Sequence, residues 1–497
     1  MSASPSIHLA IDLGAESGRI MAGAYDGNTL HLDEVHRFPN TMVTVAGSTH
    51  WDILRLYDGI LEGLKKAADH HGEAIVSLGV DTWGVDYGLI DAQGKLLGNP
   101  YVYRDSRTDG MEALATSLVS RESIYEATGI QFMFFNTLFQ LLAETRAATG
   151  ALRAAERLLF TPDLIHYWLS GVKANERTIA STSQLFNPVA GDWAHALLGP
   201  LGLPAALLGN IVEPGTELGM LLPEVAELTG LPAKTRVIAP GSHDTASAVA
   251  GVPFASGAST RAFLSSGTWS LIGLELPEPV ITAQSLKDGF SNEAGVGGTT
   301  RFLKNISGLW LVQECRRAWA TDGKTYDYDT LTRLAAEAKP FRSLVDPDHG
   351  PFATPGNMPE KIAAFCQRSG QPVPETPGAF VRCCLESLAL KCRSVWDNLL
   401  TYCQEKPDTL HIVGGGSRNA LLNQFIANAL GCRVVAGPVE ATSLGNILIQ
   451  MQSTGHIDSL AQGRALVARS TILTQHIAED RDIWADAQRR FNQLSLQ

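Results

Sequence analysis

One pattern occurs twice, about half a chain apart, and few folds accommodate it. Residues 7–25, IHLAIDLGAESGRIMAGAY, alternate Ile7, Leu9 and Ile11 with His8, Ala10 and Asp12. They then break at a turn bracketed by Gly14 and Gly18 before a second apolar run. Residues 260–275, TRAFLSSGTWSLIGLE, repeat the design with Ser265, Ser266, Gly267 and Thr268 in the turn. Period-two alternation on both sides of a short small-residue turn predicts a β-hairpin. Each turn has two readings. It can simply reverse the chain, or its backbone N–H groups can face phosphate oxygens, which small residues allow to come close. The recurrence predicts a duplicated core with one such loop per half.

The chain between and beyond the hairpins reads as alternating α and β elements. After a turn at Asp26-Gly27-Asn28, a third strand is expected over residues 29–38. Ile53, Leu54, Leu56, Tyr57, Ile60, Leu61 and Leu64 recur at helical spacing, which predicts a helix over 51–70. A buried strand at 74–80 then runs into DTWGVD at 81–86. Strands, a helix and more strands describe a mixed sheet rather than a uniformly wound parallel one. Residues 101–110, YVYRDSRTDG, concentrate charge, and Arg104, Asp105 and Arg107 read as a solvated loop. A strand at 236–240 passes to Gly241-Ser242-His243-Asp244-Thr245 and a small-residue helix at 246–250. Asp244 there is either an N-cap or a carboxylate kept ionised by the helix dipole and available as a base. Near the end, a strand at 410–413 meets Gly414, Gly415 and Gly416 before a helix at 420–430, a layout that lets the backbone approach a ring or a phosphate.

Bulk properties narrow the function classes. A chain of 497 residues with formal charge −12 argues against a nucleic-acid or anionic-membrane surface. No stretch approaches the roughly 20 apolar residues of a membrane span, and MSASPSIHLAID lacks the charged and apolar regions of a signal peptide. The seven cysteines include no Cys-x-x-Cys pair, so neither zinc nor redox chemistry is indicated, and reduced thiols in a cytoplasmic protein are expected. Gly323-Lys324-Thr325 ends like a P-loop, but Ala318 stands where that motif needs its first glycine. If the protein handles ATP, it does so through separate loops from two half-chains.

Four stretches together resemble the FGGY family of carbohydrate kinases: DLGAESGR at 12–19, SHDTAS at 242–247, SSGTWS at 265–270 and IVGGGSRN at 412–419. Their order and spacing span nearly the whole chain. The resemblance implies an α/β fold of two ribonuclease-H-like domains, as in actin-like ATPases, with an interdomain cleft. Residues 1–250 would form the sugar-binding domain and 251–497 the nucleotide-binding domain. It implies a kinase that uses ATP and Mg²⁺ to phosphorylate a small-molecule sugar. DTWGVD, YRDSRT at 103–108, LKNISGLWL at 303–311 and AGPVEATSLGN at 436–446 are most similar to members acting on L-rhamnulose in L-rhamnose catabolism. L-fuculose, L-xylulose and L-ribulose are the alternative substrates.

Carried over residue by residue, Asp244 would be the general base. Gly84, His243, Thr245 and Asn305 would line the sugar pocket beside it. Ala15, Glu16, Ser17, Gly18 and Arg19 would meet the ATP phosphates, with Thr268, Gln313 and Gly415 completing the nucleotide site. Asp12 would orient the Mg²⁺. Two rivals from other classes are weaker. A sugar-responsive repressor would need a DNA-binding helical domain, yet the first strand is expected at residue 7. A chaperone- or actin-type ATPase would not need the aromatic residues around Trp83 and at 132–135.

Overall fold

The computed structural model describes residues 5–494 apart from 256 and 259. The chain forms two compact α/β units. The first comprises Met1–Ser256, Glu275–Phe302 and Ala441–Thr471, and the second Gly257–Leu274, Leu303–Glu440 and Ile472–Gln497. A late segment of the chain thus belongs to the first unit.

The first unit is built on strands β1 (Ser6–Leu13), β2 (Ser17–Tyr25), β3 (Leu30–Pro39), β4 (Ile75–Thr82), β5 (Thr216–Met220) and β6 (Arg236–Ala239). They form one mixed sheet in the order β5-β6-β4-β1-β2-β3. β1 to β3 are an antiparallel meander, whereas β4 lies parallel to both β1 and β6. Both faces of β1 are covered. Ile7, Leu9, Ile11 and Leu13 enter a core shared with Ile53, Leu56, Ile60 and Leu64 of the Ile53–His71 helix. That helix starts where the Asp52 carboxylate accepts the Arg55 N–H, and it stops at Gly72. Trp51, expected inside it, instead ends a short strand, Ser48–Trp51.

On the opposite face, Ala10, Met21 and Leu30 pack against Leu444, Ile447, Leu448 and Met451 of the Ala441–Ser453 helix. Burial of such side chains is worth about 1.5–3 kcal/mol each, which is what holds the late helix here. This helix also meets the Asp244–Ala250 helix at backbone distance. A Cβ on Gly445 would lie 1.8 Å from the Ser247 carbonyl oxygen, so only glycine permits the approach.

The second unit repeats the hairpin. Strands β7 (Arg261–Ser266), β8 (Trp269–Leu276), β9 (Thr300–Ser307), β10 (Thr409–Val413), β11 (Arg433–Ala436) and β12 (Thr474–His476) follow the order β9-β8-β7-β10-β11-β12. β7, β10 and β11 are parallel, and β12 closes the edge antiparallel. The mixed sheets and the two Gly-turn hairpins match the sequence expectation. Among the described residues no helix is long and apolar enough to cross a membrane. All seven cysteines are unpaired, and five are buried.

Candidate active site

Parallel pairing brings two carboxylates side by side at the ends of central strands. β1 and β4 align Asp12 with Asp81, and the hairpin register sets Asp12 opposite Arg19. Arg19 Nη2 lies 2.5 Å from Asp12 Oδ2, and the Ser443 hydroxyl donates to the same oxygen at 2.8 Å. Asp81 is fully buried and accepts a 2.6 Å hydrogen bond from Asn446 Nδ2. Burial holds the Asp81 carboxyl well above the usual carboxylate range. The Asp12 charge adds to the effect, and the Asn446 bond opposes it. Sequence reasoning did not single out Asp81 or Ser443. The available signal was that β4, like β1, carries an acid one residue before its end.

The turn at residues 14–17 is closed by the Gly14 N–H donating to the Ser17 carbonyl at 2.9 Å. Asn40 clamps it from outside, its side chain donating to Gly14 O at 2.9 Å and its backbone N–H to Glu16 O at 3.1 Å. Glu16 is exposed, Ala15 and Ser17 are half-buried, and Gly18 lies beneath Phe38, where a Cβ would come within 2.4 Å of the ring.

Asp244 stands one residue inside its helix. The N-cap position belongs to His243, which makes no side-chain cap bond, so the N-cap reading of Asp244 does not hold. The Thr82 N–H donates to Ser242 O at 2.9 Å and ties this turn to the end of β4. Asp244 keeps 34% of its side chain open, with His243 Nε2 at 3.4 Å and the Thr245 hydroxyl at 3.1 Å. Burial of the carboxyl raises its pKa. The His243 neighbour pulls the other way, and the Asp12 charge adds to the rise.

The other ring nitrogen of His243, Nδ1, lies 3.2 Å from Glu293 Oε2 and 3.1 Å from Arg301 Nη2. Arg301 is completely buried, sits 2.9 Å from the same Glu293 oxygen, and donates from Nε to Ala294 O at 3.0 Å. Burial alone would raise the Glu293 carboxyl, but Arg301 and His243 outweigh it and hold it low. His243, and through it the Asp244 turn, is therefore backed by an ion pair that sequence reasoning missed, since residues 292–298 stand out only for glycine. Gly84 lies in the turn after β4, on the same unit.

In the second unit the two Gly-rich turns come together. β7 and β10 align Ser265 with Val413, and a Cβ on Gly416 would lie 2.0 Å from Ser266 Oγ. Gly415, by contrast, is exposed and a Cβ there would meet nothing within 4 Å. Thr268 O accepts the Gly308 N–H at 3.0 Å. Gln313, on the Trp310–Thr321 helix, has a buried Oε1 with no hydrogen-bond partner among the described residues. Asn305 lies half-buried in β9 of this unit. Thus Asp12, residues 15–19, Gly84, His243, Asp244 and Thr245 share the first unit, and Thr268, Asn305, Gln313 and Gly415 share the second.

The family models for the N-terminal and C-terminal domains of the FGGY family of carbohydrate kinases match residues 7–251 and 262–454. The chain belongs to this family. It is 47% identical over 475 residues to a rhamnulokinase of Bacteroides thetaiotaomicron, covering 96% of each chain. It is 43% identical over 490 residues to a rhamnulokinase of Pectobacterium atrosepticum, covering 98% of this chain and 96% of the relative. Among solved structures, a ligand-bound xylulose kinase from Lactobacillus acidophilus superposes with a TM-score of 0.80 at 14% identity over 99% and 97% of the two chains. The glycerol kinase of Plasmodium falciparum with ADP gives 0.77 at 16% over 99% of both. At these identities the structures show the shared fold alone.

Proposed function

We propose that this chain is an ATP-dependent kinase that converts L-rhamnulose to L-rhamnulose 1-phosphate in L-rhamnose catabolism, acting in the cytoplasm. The observation that carries the reading is the 47% identity, across nearly the whole of both chains, to a relative named for that activity. In the reaction the sugar's O1 forms a bond to the γ-phosphorus, the bond from that phosphorus to the β-bridging oxygen breaks, and the O1 proton passes to Asp244. A primary alcohol is a weak nucleophile near neutral pH, so an ionised carboxylate beside its proton supports attack. A base raised by burial but partly exposed suits that task, and the Glu293–Arg301 pair keeps His243 leaning on it. Residues 1–250 would supply the sugar side, through Gly84, His243 and Thr245. Residues 251–497 would supply the nucleotide side, through Thr268, Gln313 and Gly415, and Asn305 would reach the sugar from this half.

The residues present fit a nucleotide-borne Mg²⁺, which keeps most of its waters and takes one or two carboxylates besides phosphate oxygens. Asp12 offers such a carboxylate, already oriented by Arg19 and Ser443. The ion would supply charge neutralisation. The backbone at 15–19 would bind the phosphates, and Gly415 leaves open space for the nucleotide. An ADP-release assay over L-rhamnulose, L-fuculose, L-xylulose and L-ribulose tests the assignment. The highest kcat/KM is expected for L-rhamnulose. A clear preference for another ketose would overturn the substrate, and no release with any of them would overturn the kinase.

A further inference from the structure

The turn that follows β4 is held in a conformation its residues do not favour. The Asp86 N–H donates to Gly84 O at 2.9 Å, closing a three-residue turn with Val85 at its centre, at φ 68°. A β-branched residue at positive φ is disfavoured, and a turn of this kind persists only where its surroundings impose it. Those surroundings are specific. The Thr182 hydroxyl accepts the Val85 N–H at 3.1 Å and donates to Ile179 O at 2.8 Å. On the other side of the residue, the Thr137 hydroxyl donates to Val85 O at 2.7 Å. The fully buried Asp86 carboxylate accepts Trp51 Nε1 at 2.6 Å, Trp83 Nε1 at 2.9 Å and the Tyr103 N–H at 3.2 Å on Oδ2, and Gln140 Nε2 at 3.0 Å on Oδ1.

The same grip reaches the base. Thr182 closes a short segment whose start holds the other turn. Glu176 Oε2 accepts the Ser242 N–H at 3.1 Å, and the Thr178 hydroxyl accepts the His243 N–H at 3.1 Å. A Cβ on Gly84 would come within 3.1 Å of Thr182, so Gly84 and Thr182 are fitted to one another. Residues 176–182 therefore hold the Gly84 turn and the Asp244 turn at a fixed spacing.

We propose that Thr182 and Asp86 are positioning residues for sugar recognition: they impose the Gly84–Asp86 turn and fix its distance from Asp244, and so set which ketose presents its hydroxyl to the base. This rests on the kinase reading above. It does not depend on which ketose is preferred, because the test uses whichever sugar of the panel the wild-type enzyme phosphorylates best.

Thr182→Val keeps the side-chain shape but removes the acceptor, leaving the Val85 N–H without a partner. The ketose KM is expected to rise about tenfold, as befits one lost buried hydrogen bond. The ATP KM should hold while the urea midpoint falls, since an unpaired buried N–H weakens the fold, and Thr182→Ser, which retains the hydroxyl, should return both the ketose KM and the midpoint to the wild-type values. A Thr182→Val enzyme with an unchanged ketose KM overturns the proposal. So does a parallel rise in both KM values, or a serine variant as impaired as the valine one, since either describes a general packing role. Should Thr182→Val fail to fold, Thr137→Val removes the support on the opposite side of Val85 and is read by the same split between the two KM values.

Discussion

As the proposed base, Asp244 would have to be ionised to accept a proton and yet basic enough to want one. Its surroundings set that compromise through burial, partial exposure and a histidine at 3.4 Å. Asp244→Asn is expected to retain sugar binding by calorimetry while turnover falls by about 10²- to 10⁴-fold, and near wild-type turnover would remove Asp244 from the mechanism. The pH dependence follows from the direction of its shift. Because the carboxyl is raised, the working ionised form is lost at a higher pH than an ordinary Asp near 3.9 would allow. The acid limb of kcat should accordingly sit above that value, and a limb at or below it would contradict the shift. Residue-level chemistry was only partly legible beforehand. The Gly-turn motifs announce themselves by type and spacing, whereas the segment around Asp244 left an N-cap equally open and only the family resemblance singled it out as a base. Glu293, Arg301 and Asp86 do not, because a buried charge is recognised by its partner, and here the partners lie on other strands and turns. For the same reason residues 101–110 misled. Asp105 is buried and accepts the Thr49 N–H at 2.7 Å, and Arg107 stacks 3.9 Å from the Tyr101 ring and donates to Gln140. The segment is not a solvated loop.

At the scale of elements, two glycines of the turn after β10 differ: Gly416 is packed against Ser266, whereas Gly415 faces open space and is the one proposed to meet the nucleotide. Gly416→Ala would force a Cβ onto Ser266 and should cost about 1–3 kcal/mol in chemical denaturation. Gly415→Ala should leave the midpoint unchanged but raise the ATP KM, and an unchanged ATP KM would exclude this turn from the nucleotide site. The Ala441–Ser453 helix contributes a second device, a chain of buried side chains. His8 Nδ1 meets Ser77 Oγ at 2.7 Å, Ser77 donates to Gln450 at 2.7 Å, Gln450 to Asn446 at 2.6 Å, and Asn446 to Asp81 at 2.6 Å. Burial, with His456 nearby, lowers the His8 pKa to about 3. The unfolded chain, with an ordinary value near 6.5, takes up that proton first. His8 therefore contributes stability that is present above about pH 6.5 and is lost as pH falls toward 3. Glu176 and Asp86, raised by burial to about 7 and about 6, act in the opposite sense between pH 7 and 4. The histidine's share is thus read as a difference. Urea midpoints of His8→Gln should fall less steeply than wild type between pH 6.5 and 4, and parallel curves would show that His8 is not the group responsible. Alternation in β1 foretold that His8, Ala10 and Asp12 share a face. That a helix more than four hundred residues away covers it was not visible, since nothing local encodes a distant partner.

For the molecule as a whole, the first unit is discontinuous. Ala10, Met21 and Leu30 have their apolar partners on the Ala441–Ser453 helix, and Asp12 and Asp81 have polar partners there. A protein ending at residue 256 is expected to lack a cooperative thermal transition by circular dichroism. Joining residues 275–302 and 441–471 to it through flexible linkers should restore one, and a sharp transition without residues 441–471 would show the helix to be dispensable. The discontinuity also sets a clock. During synthesis at about 5–20 residues per second, the ribosome needs roughly 10 to 40 s to travel from residue 256 to residue 471. Throughout that interval the apolar face that the late helix covers lacks that cover, Asp81 lacks its Asn446 partner, and Asp12 keeps Arg19 but not Ser443. Until the closing helix emerges that face is open to other contacts, so translation speed and chaperone supply are expected to bear on the yield of this protein.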